Sequence, residues 1–168
     1  MENKQIKEML ELVNEFYIKT GEEEYLFNKK ISTLKESKKR KEMRKNIFLE
    51  ELEEYFEKDL MKNELIIRLD AVTDMFYVAA GNVLEKSKSL ENAYKIWTNG
   101  GIWETETAEI LRKKSNFSQE LILKAFKEVH RSNMTKITKD GKVLRREDGK
   151  VIKPDTFEEP NLSQFFKD

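Results

Sequence analysis

The sequence predicts an all-α fold, a helical bundle with a central antiparallel helix pair and a small C-terminal β-hairpin-like arm. Three observations carry this. Breakers are scarce, with 6 Gly and 2 Pro in 168 residues, a balance that favours long helices over sheets. Apolar residues recur at helical spacing through most of the chain. Two Asp-Gly pairs near the C-terminus, Asp140-Gly141 and Asp148-Gly149, flank short β-branched stretches, as hairpins require.

The elements follow in order. Gln5–Thr20 places Ile6, Met9, Leu10, Val13, Phe16 and Tyr17 on one helical face, and Gly21 stops it. Glu22–Ser37 reads as a mixed connector, and Lys38–Lys45 as a basic stretch already helical. Glu42–Met61 is the second helix, Lys62-Asn63 a short joint, and Asn63–Lys86 the third helix. Ser87–Phe117 is less periodic and holds the turn Thr98-Asn99-Gly100-Gly101. Ser118 caps a helix running to Arg131. Val143-Leu144 and Val151-Ile152 are the expected hairpin strands, and the tail with Pro154 and Pro160 should be irregular. Residues 1–168 are expected to form one domain, with 87–117 insertion-like and 131–168 a basic arm.

Composition excludes several classes. Zero Cys removes disulfide scaffolds and thiolate metal sites. Met1–Glu11 alternates charged and apolar residues, unlike a signal peptide, so a cytoplasmic location is expected. The most apolar stretch, Leu65–Leu84, contains Arg68, Asp70 and Asp74, which argues against a membrane span. A net charge of +0 argues against nucleic-acid coating. That zero conceals a segregation. Ile47–Leu60 has six acids against one Lys, whereas Arg131–Lys153 has eight basic residues against three acidic ones.

The chemistry concentrates on the central pair. The third helix is apolar nearly all round, so Asp70 and Asp74 are forced into its buried surroundings, on one stripe with Tyr77 and Gly81. Buried carboxylates cost several kcal/mol unless paired or bound to metal. On the second helix, Glu50, Glu51 and Glu54 fall within an arc of about 100°, with Glu51 beside the apolar side. In an antiparallel pair, Glu51 and Asp74 stand level, roughly 17 Å from the joint at 1.5 Å per residue. Glu54 and Asp70 are nearly level too. Four converging carboxylates repel strongly and call for a divalent cation. The all-oxygen donor set suits Mg²⁺, with Mn²⁺ an alternative. Salt bridges from Arg44 or Arg68 are the competing remedy. Trp97 and Trp103, flanking the glycine turn, are base-stacking candidates or core and contact anchors. His130 reads as a structural donor.

Four stretches then resemble a known family. They are Arg44-x-x-x-x-Leu49-Glu50-Glu51-x-x-Glu54, Asp70-Ala71-x-x-Asp74-x-x-Tyr77-Val78-x-x-Gly81, Val129-His130-Arg131-Ser132-Asn133-Met134-Thr135-Lys136, and Asp148-Gly149-Lys150-Val151-Ile152-Lys153-Pro154. Together they resemble the all-α NTP pyrophosphohydrolases, in the MazG-like, phosphoribosyl-ATP pyrophosphohydrolase-like branch. The resemblance implies Mg²⁺-dependent cleavage of a nucleoside triphosphate to monophosphate and pyrophosphate, by a homodimer or homotetramer. It places metal ligands at Glu51, Glu54 and Asp74, and a base or extra ligand at Glu50. Ala71 stands where the family usually has Glu, and Asp70 is the expected substitute. Tyr17 replaces the usual His of the first helix. Asn133, Lys136, Lys150, Lys153 and Tyr77 are the expected substrate contacts. The rival expectation is a catalytically silent interaction or regulatory module of the same fold, and nucleic acid is not an expected partner.

Overall fold

The computed structural model describes residues 1–29, 33–57 and 64–167. The order is α1 (Asn3–Lys19), a 3₁₀ turn (Glu23–Asn28), α2 (Leu34–Glu57), α3 (Glu64–Lys86), α4 (Leu90–Thr98), α5 (Trp103–Lys114), α6 (Gln119–Met134), β1 (Leu144–Arg145), β2 (Val151–Ile152) and a 3₁₀ turn (Leu162–Phe166). This is the helical architecture with a β-hairpin arm that the sequence predicts. The expected joint Lys62-Asn63 and the end of the second helix at Met61 lie outside the described residues. No helix among these residues is long and apolar enough to cross a membrane.

α3 is the axis of the molecule. It touches α1, α2, α4, α5 and α6, which explains why its sequence is apolar on every side. Leu69, Val72, Met75, Ala79, Ala80, Val83 and Leu84 are completely enclosed. α2 lies antiparallel beside it, because contacts ascend one helix as they descend the other. Arg40 meets Glu85, Arg44 meets Asn82 and Val78, and the Arg68 guanidinium lies over Tyr55.

Local chemistry sets the helix ends. At the end of α1, Gly21 adopts a φ of 75°, and the Glu22 amide returns to the Tyr17 carbonyl at 2.8 Å, a left-handed stop that favours glycine. Ser118 caps α6 as expected, its Oγ accepting from the Leu121 amide at 3.0 Å.

Two expectations need correction. The connector 22–37 is more ordered than its mixed composition suggests, since it holds a 3₁₀ turn and α2 already starts at Leu34. The segment 87–117 forms two helices, α4 and α5. Its periodicity is hidden because each helix is short and buries only a narrow stripe, Ala93 with Trp97 and Ala108 with Leu111. Trp97 stacks on Phe76 and is a core ring, whereas Trp103 is 44% exposed.

The arm is docked, not trailing. β1 pairs antiparallel with β2, Leu144 opposite Ile152 and Arg145 opposite Val151. Arg145 Nη2 donates to the Thr20 carbonyl at 2.8 Å, and Ser132 Oγ donates to the Glu158 carbonyl at 2.6 Å. Leu162, in the tail expected to be irregular, is 2% exposed within the closing 3₁₀ turn.

Gly81 allows α2 to approach α3. A Cβ there would stand 2.8 Å from Tyr17 Oη and closer still to Arg44 Nη2. Gly81→Val should therefore cost about 1–3 kcal/mol of overpacking, more than the few tenths regained in helix propensity. Urea unfolding should show a lower midpoint with an unchanged slope.

Candidate metal centre

A crevice of about 670 Å³ opens between α2, α3, the end of α6 and the arm, and it is lined by Glu50, Glu51, Glu54, Asp70 and Asp74. All five acidic residues named from the sequence therefore face one space. Asn133, Lys136, Lys150 and Lys153 line it as well. Beside it, a smaller cavity of about 110 Å³ adds an apolar wall from Val13, Phe16 and Ile47, with Tyr77 at its edge. Phe16 packs edge-on to Tyr77, their centroids 5.9 Å apart. Glu51, Asp74, Asn133, Lys136 and Lys150 border both spaces.

The electrostatics are those of crowded like charge. Burial, then the neighbouring Glu54, Asp70 and Glu50, push the Glu51 carboxyl up to about 7 against the pull of Lys150. Burial first, then Asp70 and Glu51, push Asp74 well above the usual carboxylate range. Lys136 is the cation opposing Asp74, and its own pKa is lowered, chiefly by burial. Arg44 does not relieve the cluster. Its Nε donates to Asn82 Oδ1 at 2.8 Å and its Nη2 to the Val78 carbonyl at 2.9 Å. Arg68 pairs with Glu64, one turn earlier on its own helix.

Glu50 is in a different state from its neighbours. Lys150 Nζ lies 2.5 Å from its Oε2 and Arg146 Nη2 3.2 Å from its Oε1. Burial raises the pKa of this carboxyl, but the two cations outweigh burial and hold it below its usual range. A carboxylate so committed is a weak proton acceptor until Lys150 leaves it.

The donor set is hard and all oxygen, which fits Mg²⁺ or Mn²⁺. Among the described residues no three acidic side chains are already gathered around one point in ligating geometry. A cation would therefore draw carboxylates inward from the crevice walls.

Several partners are visible only in the folded chain. Tyr77 Oη lies 2.9 Å from His130 Nδ1, and His130 Nε2 lies 3.2 Å from Glu15 Oε2. Arg146, the second cation on Glu50, carries no sequence signal beyond its place in a basic arm. Lys153 sits on the rim, 2.9 Å from Glu159 and over the Phe157 ring. Tyr17 donates to Glu85 Oε1 at 2.6 Å.

The raised carboxyls give a pH signature. The folded chain holds these protons more tightly than the unfolded chain does. In metal-free buffer, stability should therefore fall as pH rises from about 4.5 to about 7. Above that range, added Mg²⁺ should raise the melting temperature by binding the folded state, and Glu51→Gln with Asp74→Asn should remove both effects. Differential scanning fluorimetry across pH, with and without Mg²⁺, reads this directly. Comparison with known proteins adds no assignment: no family model matches the chain, and no curated protein or solved structure matches it.

Proposed function

We propose that this chain is an Mg²⁺-dependent nucleoside triphosphate pyrophosphohydrolase, with Mn²⁺ able to replace Mg²⁺. One observation carries the reading: five carboxylates from two antiparallel helices and three lysines from the α6 end and the arm face a single crevice. Such a site suits a substrate that brings phosphate together with a divalent ion. Glu51, Glu54, Asp70 and Asp74 would hold the cation, which neutralises charge on the leaving pyrophosphate.

The remaining work falls to the protein. Lys150 and Lys136 meet the phosphate chain, and Lys153 reaches it from the rim. As Lys150 turns to the phosphates it releases Glu50, which then accepts the proton of the attacking water. The water oxygen bonds to the α-phosphorus, the bond to the bridging oxygen breaks, and pyrophosphate departs. The nucleoside lies along Phe16, Tyr77 and Asn133. A cytoplasmic setting and a homodimeric or homotetrameric assembly belong to the same reading.

A specific observation favours the silent regulatory module as the second reading. Ala71 leaves one ligand position to Asp70, and Glu50 is already neutralised by the arm.

Incubation with Mg²⁺ and a panel of NTPs and dNTPs should release pyrophosphate and the matching monophosphate from at least one of them. Glu54→Gln should abolish release while the helical circular dichroism stays unchanged. Lys150→Ala should lower kcat by about 10²-fold or more, the loss typical of one preorganised electrostatic contact. Mg²⁺-dependent stabilisation without pyrophosphate from any substrate would favour the silent module.

A further inference from the structure

On the other side of Arg44, the N-terminal half of α2 and the C-terminal half of α3 border a second cavity, of about 620 Å³. Small-ligand sites span about 300–1,000 Å³. Its lining is strongly basic: Arg40, Lys41, Arg44, Lys45 and Lys86, against Glu85 and Glu104. The arginines and acids are largely committed within the protein. Arg40 Nη2 lies 2.5 Å from Glu85 Oε1. Arg44 donates to Asn82, and Asn82 Nδ2 donates to Glu104 Oε1 at 3.0 Å. The lysines are not so committed. Among the described residues Lys41 and Lys45 make no ion pair, and the acid nearest Lys86 is Glu104, at 3.8 Å. The charge left for a ligand is therefore positive.

Two further features define what fits. The Trp103 ring borders the cavity and is 44% exposed, yet it is held at 76° to the Phe48 ring, with centroids 5.0 Å apart. Glu104 is 3% exposed, and its buried Oε2 lacks a hydrogen-bond partner. A simple anion would use the lysines and leave the aromatic surface idle. An apolar ligand would leave the Lys41 and Lys45 ammonium groups unanswered. A flat, nitrogen-rich ring bearing phosphates answers both.

We propose that this cavity is a second ligand site, which takes a nucleoside polyphosphate with its base on Trp103 and its phosphates at Lys41, Lys45 and Lys86. The site is independent of the hydrolytic reading, because it shares none of the crevice's carboxylates. It meets the neighbouring pocket only at Arg44, which borders both.

The test is a fluorescence titration in EDTA, with ATP, GTP and inorganic tripolyphosphate as probes and a single-stranded oligonucleotide as control. ATP or GTP should quench Trp103 emission saturably. Trp103→Phe should remove the signal, leaving the enclosed Trp97. Lys41→Glu with Lys45→Glu, both on exposed side chains, should weaken binding at least about tenfold. Lys150→Ala, in the crevice, should leave binding within about twofold. Tripolyphosphate should bind more weakly than either nucleotide.

Four results would overturn the proposal. One is the absence of saturable quenching. Another is quenching lost in Lys150→Ala but kept in the double lysine variant. The third is tripolyphosphate binding as tightly as ATP. The last is binding confined to the oligonucleotide.

Discussion

Like charges held together against their own repulsion are the constraint around which this molecule is organised. α3 must be apolar on all sides to serve as the axis of five surrounding helices. It nonetheless carries Asp70 and Asp74 where α2 presents Glu51 and Glu54. The alternative to that tension is to leave the acids solvated on an outer face, and an axial helix has no such face. The protein instead opens a crevice there, which all four residues line. Their elevated affinity for protons records what remains of the cost.

The same charge logic docks the arm. Its hairpin has two-residue strands, too short to be stable alone. It buries little apolar surface: Val151 is enclosed, while Leu144 and Ile152 are 48% and 37% exposed. Cationic contacts hold it in place. Arg145 reaches Glu22 and the end of α1, while Arg146 and Lys150 clasp Glu50. An arm secured by ions rather than by packing can exchange partners at modest cost when a more highly charged anion arrives, because exposed ion pairs are individually weak. Segregating acids on the C-terminal half of α2 and bases on the arm, within a chain of zero net charge, makes this possible.

How much of this was legible in the sequence follows from where each feature is encoded. The central pair could be read because helical period and residue counting are local rules: Glu51 and Asp74 stand level in an antiparallel hairpin whatever surrounds it. The hairpin could be read from Asp140-Gly141 and Asp148-Gly149. α4 and α5 could not, since two short amphipathic stripes separated by glycines give a weak period, and Phe76, on which Trp97 stacks, lies on another helix. The state of Glu50 was hidden for a similar reason. Its partners Arg146 and Lys150 are about a hundred residues away, and nothing local distinguishes it from Glu51.

The lone histidine shows what such long-range contacts add. Burial holds its pKa below the usual imidazole value against the pull of Glu15, which favours the neutral ring with one nitrogen carrying the hydrogen. The Glu15 carboxylate beside Nε2 accepts that hydrogen, which leaves Nδ1 as an acceptor. The Tyr77 hydroxyl must then donate to Nδ1, and burial keeps its phenol protonated. With its proton committed, the Tyr77 oxygen can only accept, and the Asn133 side chain on the pocket wall hydrogen-bonds to it. An exposed glutamate on α1 thus fixes, through a ring on α6, the hydrogen-bonding sense of a buried hydroxyl on α3. One chain of hydrogen bonds, from Glu15 through His130 and Tyr77 to Asn133, thereby orders the wall of the pocket beside its carboxylates and lysines.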